Sequence, residues 1–276
     1  MKRLRNAVTF LGFISLFGAA GFAQGVVSYS VNAGGNLPPC RVTLHPPPRV
    51  VMMLSGPVAP YSGVEKSTSV RTLADGTHIT NDSPFIQKTY RDSSSRRRTE
   101  RPMCGRKTAD NTAVLVEIRD PVAGYGYILD PGKRIAYRFQ VEVIEPRPRD
   151  RSNPATPQPP PPSSDGRPRP TTTTESLGSD VIEGISVEGT RYTTVFPPGS
   201  RGNDGPIAVV RDEWHSPELG GILIMAKTVD PINNAESTIQ LTDIDLSEPL
   251  ISLFQPPPEY QVVDVEGDVT ITFTRK

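Results

Sequence analysis

Residues 113–143, "AVLVEIRDPVAGYGYILDPGKRIAYRFQVEV", decide the fold class. Val114, Val116 and Ile118 alternate with Leu115, Glu117 and Arg119. Further on, Ile135, Tyr137, Phe139, Val141 and Val143 alternate with Arg138, Gln140 and Glu142. A period of two is the signature of a strand, because successive side chains leave a pleated backbone on opposite faces. One apolar and one polar face predict half-buried antiparallel strands. The connecting "DPVAG" and "DPG" supply proline, aspartate and glycine where tight turns need them.

The same plan extends to both sides. In "GVEKSTSVRTLADGTHIT", residues 63–80, Asp75–Gly76 is a strong hairpin signal between two alternating runs. "FIQKTYRDSSSRRRTER", residues 85–101, repeats the hairpin with a looser turn. Downstream, "DVIEGISVEGTRYTTVFPP", "PIAVVRDEWHSPELGGILIMAKTVDP" and "ESTIQLTDIDL" read as strands and turns, and "VTITFTRK" closes the chain. "SEPLISLF" suits one short helical turn capped by Ser247. Nothing after the first 23 residues sustains a 3.6-residue period. Upstream, residues 24–60 are broken by proline and hold only short strands, of which "RVVMML" suits a buried one.

Residues 146–174 contain ten prolines and no Val, Ile, Leu or aromatic residue. Such a segment has too little apolar surface to offset its ordering entropy, so a disordered linker or loop is expected there. The division that follows is 1–23 as an export signal and 24–60 as an irregular proline-rich segment. Residues 61–145 and 175–276 are two antiparallel β halves of one domain, joined through 146–174. The expected class is all-β: a strongly curved antiparallel sheet with little helix, interrupted by a proline-rich loop. Such a sheet must cover its apolar face, either by curling into a half-barrel with a groove or by packing on a second sheet.

The export signal is read from Lys2, Arg3 and Arg5, the apolar run "AVTFLGFISLFGAAG", and small residues before a cut at Ala23–Gln24. Its apolar run is short for a membrane span. The location expected is therefore the periplasm or the exterior, and the mature chain is not expected to be an integral membrane protein. The whole chain has 30 basic and 30 acidic residues. Removing the three basic residues of the signal leaves a mildly acidic chain, which speaks against nucleic acid as a partner. Cys40 and Cys104 are the two cysteines, and in an oxidising compartment a disulfide between them is the plain expectation.

Motifs for chemistry are scarce. The chain has no G-x-S-x-G elbow, no S-x-x-K, no H-E-x-x-H and no phosphate loop. Trp214 and His215 sit between Glu213 and Glu218 at a hairpin tip, where no nucleophile is marked and the tryptophan suits packing or the rim of a groove. Asp243, Asp245 and Glu248 lack the spacing of a calcium loop. No cofactor, metal or catalytic residue is assigned. "SSSRRRTERPMCGRK" is the one strong basic cluster. Arg96, Arg97, Arg98 and Arg101 suit either an anionic-ligand patch or solvated edge-strand charges.

The residues Trp214, Asp243, Ile244, Leu253, Phe254, Pro256 and Tyr260 sit in a plan of their own: strand into Trp, turn, return strand, "D-I", then "LF", Pro and Tyr. This plan, over 180–263, resembles the closing hairpins of the LolA-like superfamily of periplasmic lipoprotein carriers and RseB-type stress regulators. Residues 57–263 resemble uncharacterised secreted proteins of soil acidobacteria. The resemblance implies an incomplete, strongly curved barrel whose concave face takes lipid, with Trp214, Phe254 and Tyr260 as groove or hairpin positions. The sequence departs from the carriers in lacking an amphipathic helix after the signal and in inserting the proline-rich segment. Two roles remain open: a non-enzymatic envelope protein that binds a lipid or other amphiphile, or an interaction or stress-sensor module that binds another envelope protein. The oligomeric state is left open.

Overall fold

The computed structural model describes residues 28–32, 40–45, 49–53, 58–102, 114–144, 167–265 and 267–273. The export signal, Cys104 with its expected disulfide, and residues 146–166 of the proline-rich segment lie outside them. The chain divides into two compact units. One comprises Met1–Leu54, Arg91–Glu145 and Pro249–Lys276, the other Ser55–Tyr90 and Pro146–Glu248.

The strands in chain order begin with β1 (Ser28–Asn32), β2 (Cys40–His45), β3 (Arg49–Met53), β4 (Tyr61–Thr72), β5 (His78–Arg91) and β6 (Arg97–Pro102). The middle of the chain forms β7 (Val114–Asp120), β8 (Tyr125–Asp130) and β9 (Ile135–Ile144). Then come β10 (Thr171–Ile182), β11 (Ile185–Phe196), β12 (Ile207–Ser216), β13 (Ile222–Asp230) and β14 (Ala235–Asp245). After a 3-10 turn at Ile251–Phe254 the chain ends with β15 (Gln261–Asp264) and β16 (Val269–Phe273). The expected class holds: the described residues are almost all strand, and the sheet is not closed into a barrel.

In the first unit β6, β7, β8 and β9 form an antiparallel meander with the turns expected from the sequence. Its far edge was not foreseen. β9 pairs in parallel with β15 at Ile135–Arg138 and with β3 at Gln140–Ile144, so the sheet is mixed. β1, β2 and β16 make a separate three-stranded antiparallel sheet. Val42, Leu44, Val269 and Ile271 of that sheet join Val50, Leu115, Ile128, Phe139 and Val141 in one buried cluster. This is sheet-on-sheet packing, with a filled core between layers. The other face of the meander is covered too, since Ile118, Leu129 and Ala136 are buried there. The one-sided burial read from 113–143 is thus corrected: both faces are covered, and Glu117 is 5% exposed. Gly126 is needed because the Phe139 ring lies over it, and a Cβ there would also stand 2.8 Å from the Ile118 carbonyl oxygen.

In the second unit β10 to β14 pair antiparallel in sequence order, and β14 continues to β4 and then β5. Asp75–Gly76 makes the β4–β5 turn as expected, with Gly76 at φ 83° and Asp75 Oδ1 accepting from the Thr77 N–H at 2.9 Å. This sheet curls. Glu183, in the β10–β11 turn, accepts at Oε1 from Gln240 Nε2 of β14 at 3.1 Å. A flat sheet would separate β11 from β14 by about 14 Å, three strand spacings. At that end Tyr61, Ile185, Val187, Leu219, Ile224 and Leu241 form a buried cluster.

Two boundaries differ from the sequence reading. Thr171–Thr174, placed in the proline-rich segment, begin β10 and pair with Tyr192–Val195, where Thr172 and Thr194 share a hydroxyl hydrogen bond of 2.9 Å. β-branched side chains suit a paired strand even where no hydrophobic residue marks it. Ser247 does not cap the helical turn. Leu250 holds that position without a side-chain bond, and the Ser247 N–H donates to Asp245 Oδ1 at 2.9 Å.

Ile128 is 1% exposed and central to the first unit's core. Ile128→Ala is expected to lower unfolding free energy by about 2–5 kcal/mol in urea titration.

Candidate functional site

The register places three rows of side chains side by side on one face of the second unit's sheet. The first row is Gly189, Trp214, Met225, Gln240 and Lys66, crossing from β11 to β4. Two residues along, the second is Arg191, Asp212, Lys227, Thr238 and Thr68. The third is Thr193, Val210, Val229, Glu236 and Val70. The β10–β11 turn leans over this face, since Gln240 is the residue that Glu183 holds.

The face is therefore amphipathic. Trp214 packs against the buried cluster, with its Nε1 over Gly189 and Lys227 Nζ 5.7 Å from its ring centroid. Arg191 grips Asp212 through Nε and Nη2, both at 2.7 Å, and that hydrogen-bonded carboxylate raises the guanidinium pKa. Beyond this charged row Val210 is half-buried and Val229 is 46% exposed. Val70, Val229, Ala235 and Glu236, with His78 and Asn234 among their neighbours, line an open cleft of ≈ 290 Å³. That volume is near the lower limit for small-molecule pockets.

The opposite face of β12 carries Arg211, Glu213 and His215. Glu213 is 2% exposed, accepts from Arg211 Nε at 2.5 Å, and has Oε2 3.7 Å from His215 Nε2. Ser216 is fully buried, and its hydroxyl accepts from the Leu219 N–H at 3.3 Å. Glu218 is exposed in the turn. Trp214 and His215 thus point to opposite faces, as neighbours on a strand do.

The other predicted positions lie in the first unit. Phe254 is 1% exposed and sits on the 3-10 turn that meets β6 and β7. It fills that unit's packing. Tyr260 is half-buried, and burial pushes its hydroxyl pKa up. The arginine run is split by geometry. Arg96 bonds Asp92 at 2.9 Å and Asp120 at 3.2 Å, and the Asp92 bond in particular raises its pKa. Arg98 bonds Glu100 at 2.7 Å and donates to the Leu253 carbonyl at 3.1 Å. Arg97 and Arg101 point to the other face, where Arg97 stands opposite Arg119 and Arg101 opposite Leu115. Arg119, on a different strand, was not singled out from the sequence. Only strand register brings it beside the run.

The acidic triplet is occupied internally. Asp243, at φ 53°, receives Lys66 Nζ at 3.1 Å, and Asp245 binds the Ser247 N–H. Among the described residues no group of three or more His, Cys, Asp or Glu is placed to hold a metal ion. No helix among them is long and apolar enough to cross a membrane.

These features define an all-β protein of open sheets. No protein-family model and no curated sequence matches the chain. Solved structures similar to it include a conserved uncharacterised protein from Thermus thermophilus, at 7% identity and TM-score 0.36, covering 75% of this chain and 91% of that one. LprF from Mycobacterium bovis is similar at 11% identity and TM-score 0.25, covering 69% and 89%. A domain assigned to outer-membrane lipoprotein sorting from Vibrio parahaemolyticus is similar at 9% identity and TM-score 0.22, covering 69% and 86%. At these scores the likeness carries no functional argument.

Lys66 holds the Asp243 carboxyl below its ordinary pKa, chiefly by its hydrogen bond. The linked contribution to stability is full above the unfolded carboxylate pKa of about 3.9 and is lost as pH falls through the lower folded value. Lys66→Met should move the Asp243 pKa up toward about 3.9 in a carboxyl NMR titration. An unmoved titration would show that the pair does not form in solution.

Proposed function

We propose that this is an exported, non-enzymatic binding protein of the cell envelope that holds an amphiphile on the curled face of its second unit. One observation carries the reading: the three rows on that face place Trp214 and Met225 on one side of a charged row and Val210, Val229 and Val70 on the other. Lys227 supplies a cation beside the apolar side chains, while Arg191 and Lys66 are held by Asp212 and Asp243, so the face suits an acyl or similarly apolar body with a polar head. The resemblance to the LolA-like proteins agrees with this class of ligand. The basic start and apolar run of residues 1–23 agree with an envelope location.

A second reading, binding of another envelope protein, is favoured by β10. This strand forms an edge of the second unit's sheet, and all its residues except Leu177 and Ile182 are exposed. Such an edge offers unpaired backbone groups to an incoming strand.

Native mass spectrometry of protein purified from its own envelope, with organic extraction, tests the first reading. Co-purifying amphiphile is expected, and delipidated protein should take up a fluorescent fatty-acyl probe. Val229→Asp should weaken that uptake by about tenfold or more, given the roughly 2 kcal/mol typical of a buried aliphatic contact. Val181→Asp on β10 should leave it unchanged. An apo mass together with no probe uptake would overturn the amphiphile reading.

A further inference from the structure

We propose that Arg97, Arg101 and Arg119 form a binding site for a phosphate-type oxyanion on the first unit's β6–β7 pair. The argument begins with strand alternation. β6 turns Arg98 and Glu100 to one face and Arg97, Thr99 and Arg101 to the other. Register then sets Arg97 opposite Arg119, Thr99 opposite Glu117, and Arg101 opposite Leu115. Ile128 and Phe139 continue the same face, through the pairs Glu117–Ile128, Arg119–Gly126 and Gly126–Phe139. Three guanidinium groups and one carboxylate therefore share a patch bordered by the hydrophobic core.

The carboxylate is already committed. Glu117 Oε1 accepts from Arg119 Nε at 2.6 Å, and its Oε2 lies 4.0 Å from Arg101 Nη1. Asp130, farther along this face, accepts at Oδ1 from the N–H groups of Gly132 and Lys133 at 3.0 and 3.1 Å, and its Oδ2 lies 3.7 Å from Lys133 Nζ. Arg97 Nε is buried and has no hydrogen-bond partner. Like charges directly opposite on paired strands repel, and a buried donor without a partner is costly. Both penalties fall on Arg97 at once. A tetrahedral oxyanion answers both, because it accepts several N–H bonds and places negative charge between Arg97 and Arg119. Guanidinium forks match it geometrically, and the Thr99 hydroxyl, between Arg97 and Arg101 on the strand, is a further donor. The neighbouring Arg96 and Arg98 are satisfied by Asp92, Asp120 and Glu100 and take no part. This site does not depend on the amphiphile reading of the second unit.

The phosphate group has two sources, a lipid headgroup or free phosphate. The thermal midpoint of the whole mature chain, in inorganic phosphate against chloride of equal ionic strength, reads the site directly. Wild type is expected to gain a saturable rise of a few degrees. R97Q is expected to be more stable than wild type without phosphate, to lose the rise, and so to separate this site from general charge effects. R201Q, which removes a positive charge from the other unit, is expected to keep the rise. Should R97Q fail to fold, R97K keeps the charge without the fork and is expected to weaken phosphate binding at least tenfold. Flotation with phosphatidylcholine vesicles, with and without phosphatidic acid, identifies the source. Arg97-dependent binding to the acidic vesicles assigns a headgroup, and a response to inorganic phosphate alone assigns the free ion. A wild type indifferent to both, or an R97Q or R97K variant that responds as wild type does, overturns the proposal.

Discussion

The outer edge of β9 holds the first unit together. Its inner edge takes β8 through a tight turn, which loop-closure entropy makes easy. Its outer edge takes two strands from distant parts of the chain, β3 before it and β15 long after it, both in parallel. Arg138 reinforces the second pairing by binding Asp264 through Nε and Nη2 at 2.6 and 3.0 Å. With those strands in place, β2 and β16 can pair with each other and lay Val42, Leu44, Val269 and Ile271 over the meander. A parallel pair cannot be made by a hairpin, so this edge is where separate segments of sequence become one core.

That distinction explains what the sequence discloses. Alternation and turn residues are local, and they place the meander, the Asp75–Gly76 hairpin and the hairpins from Asp180 onward. Pairing on β9's outer edge is non-local, and no spacing in 49–53 or 261–264 announces its direction. The burial of Glu117 was hidden for the same reason. Alternation tells which residues share a face, but the cover on that face comes from other segments. Thr171–Thr174 failed differently: a search for apolar residues passes over a threonine run whose branching suits a strand.

The candidate site side chains divide along the same line. Strand alternation alone separates Trp214 from His215 and Arg97 from Arg98, so the split was available from sequence once the strands were placed. The partners were not. Arg119 joins Arg97 only through β6–β7 register, and Arg191, Asp212 and Lys227 become a charged row only through the pairing of three strands. Phe254 kept its expected neighbourhood in sequence, yet its side chain serves packing, being 1% exposed.

The irregularity in β10 between Ser176 and Gly178 has its own effect on how the molecule meets other chains. Gly178 adopts φ 81° there, and a bulge of this kind breaks the ladder and increases local twist. An approaching strand therefore meets a short straight run, Thr171 to Ser176, followed by a bend that carries the hydrogen-bonding groups out of line. The break limits templated stacking of one copy on the next.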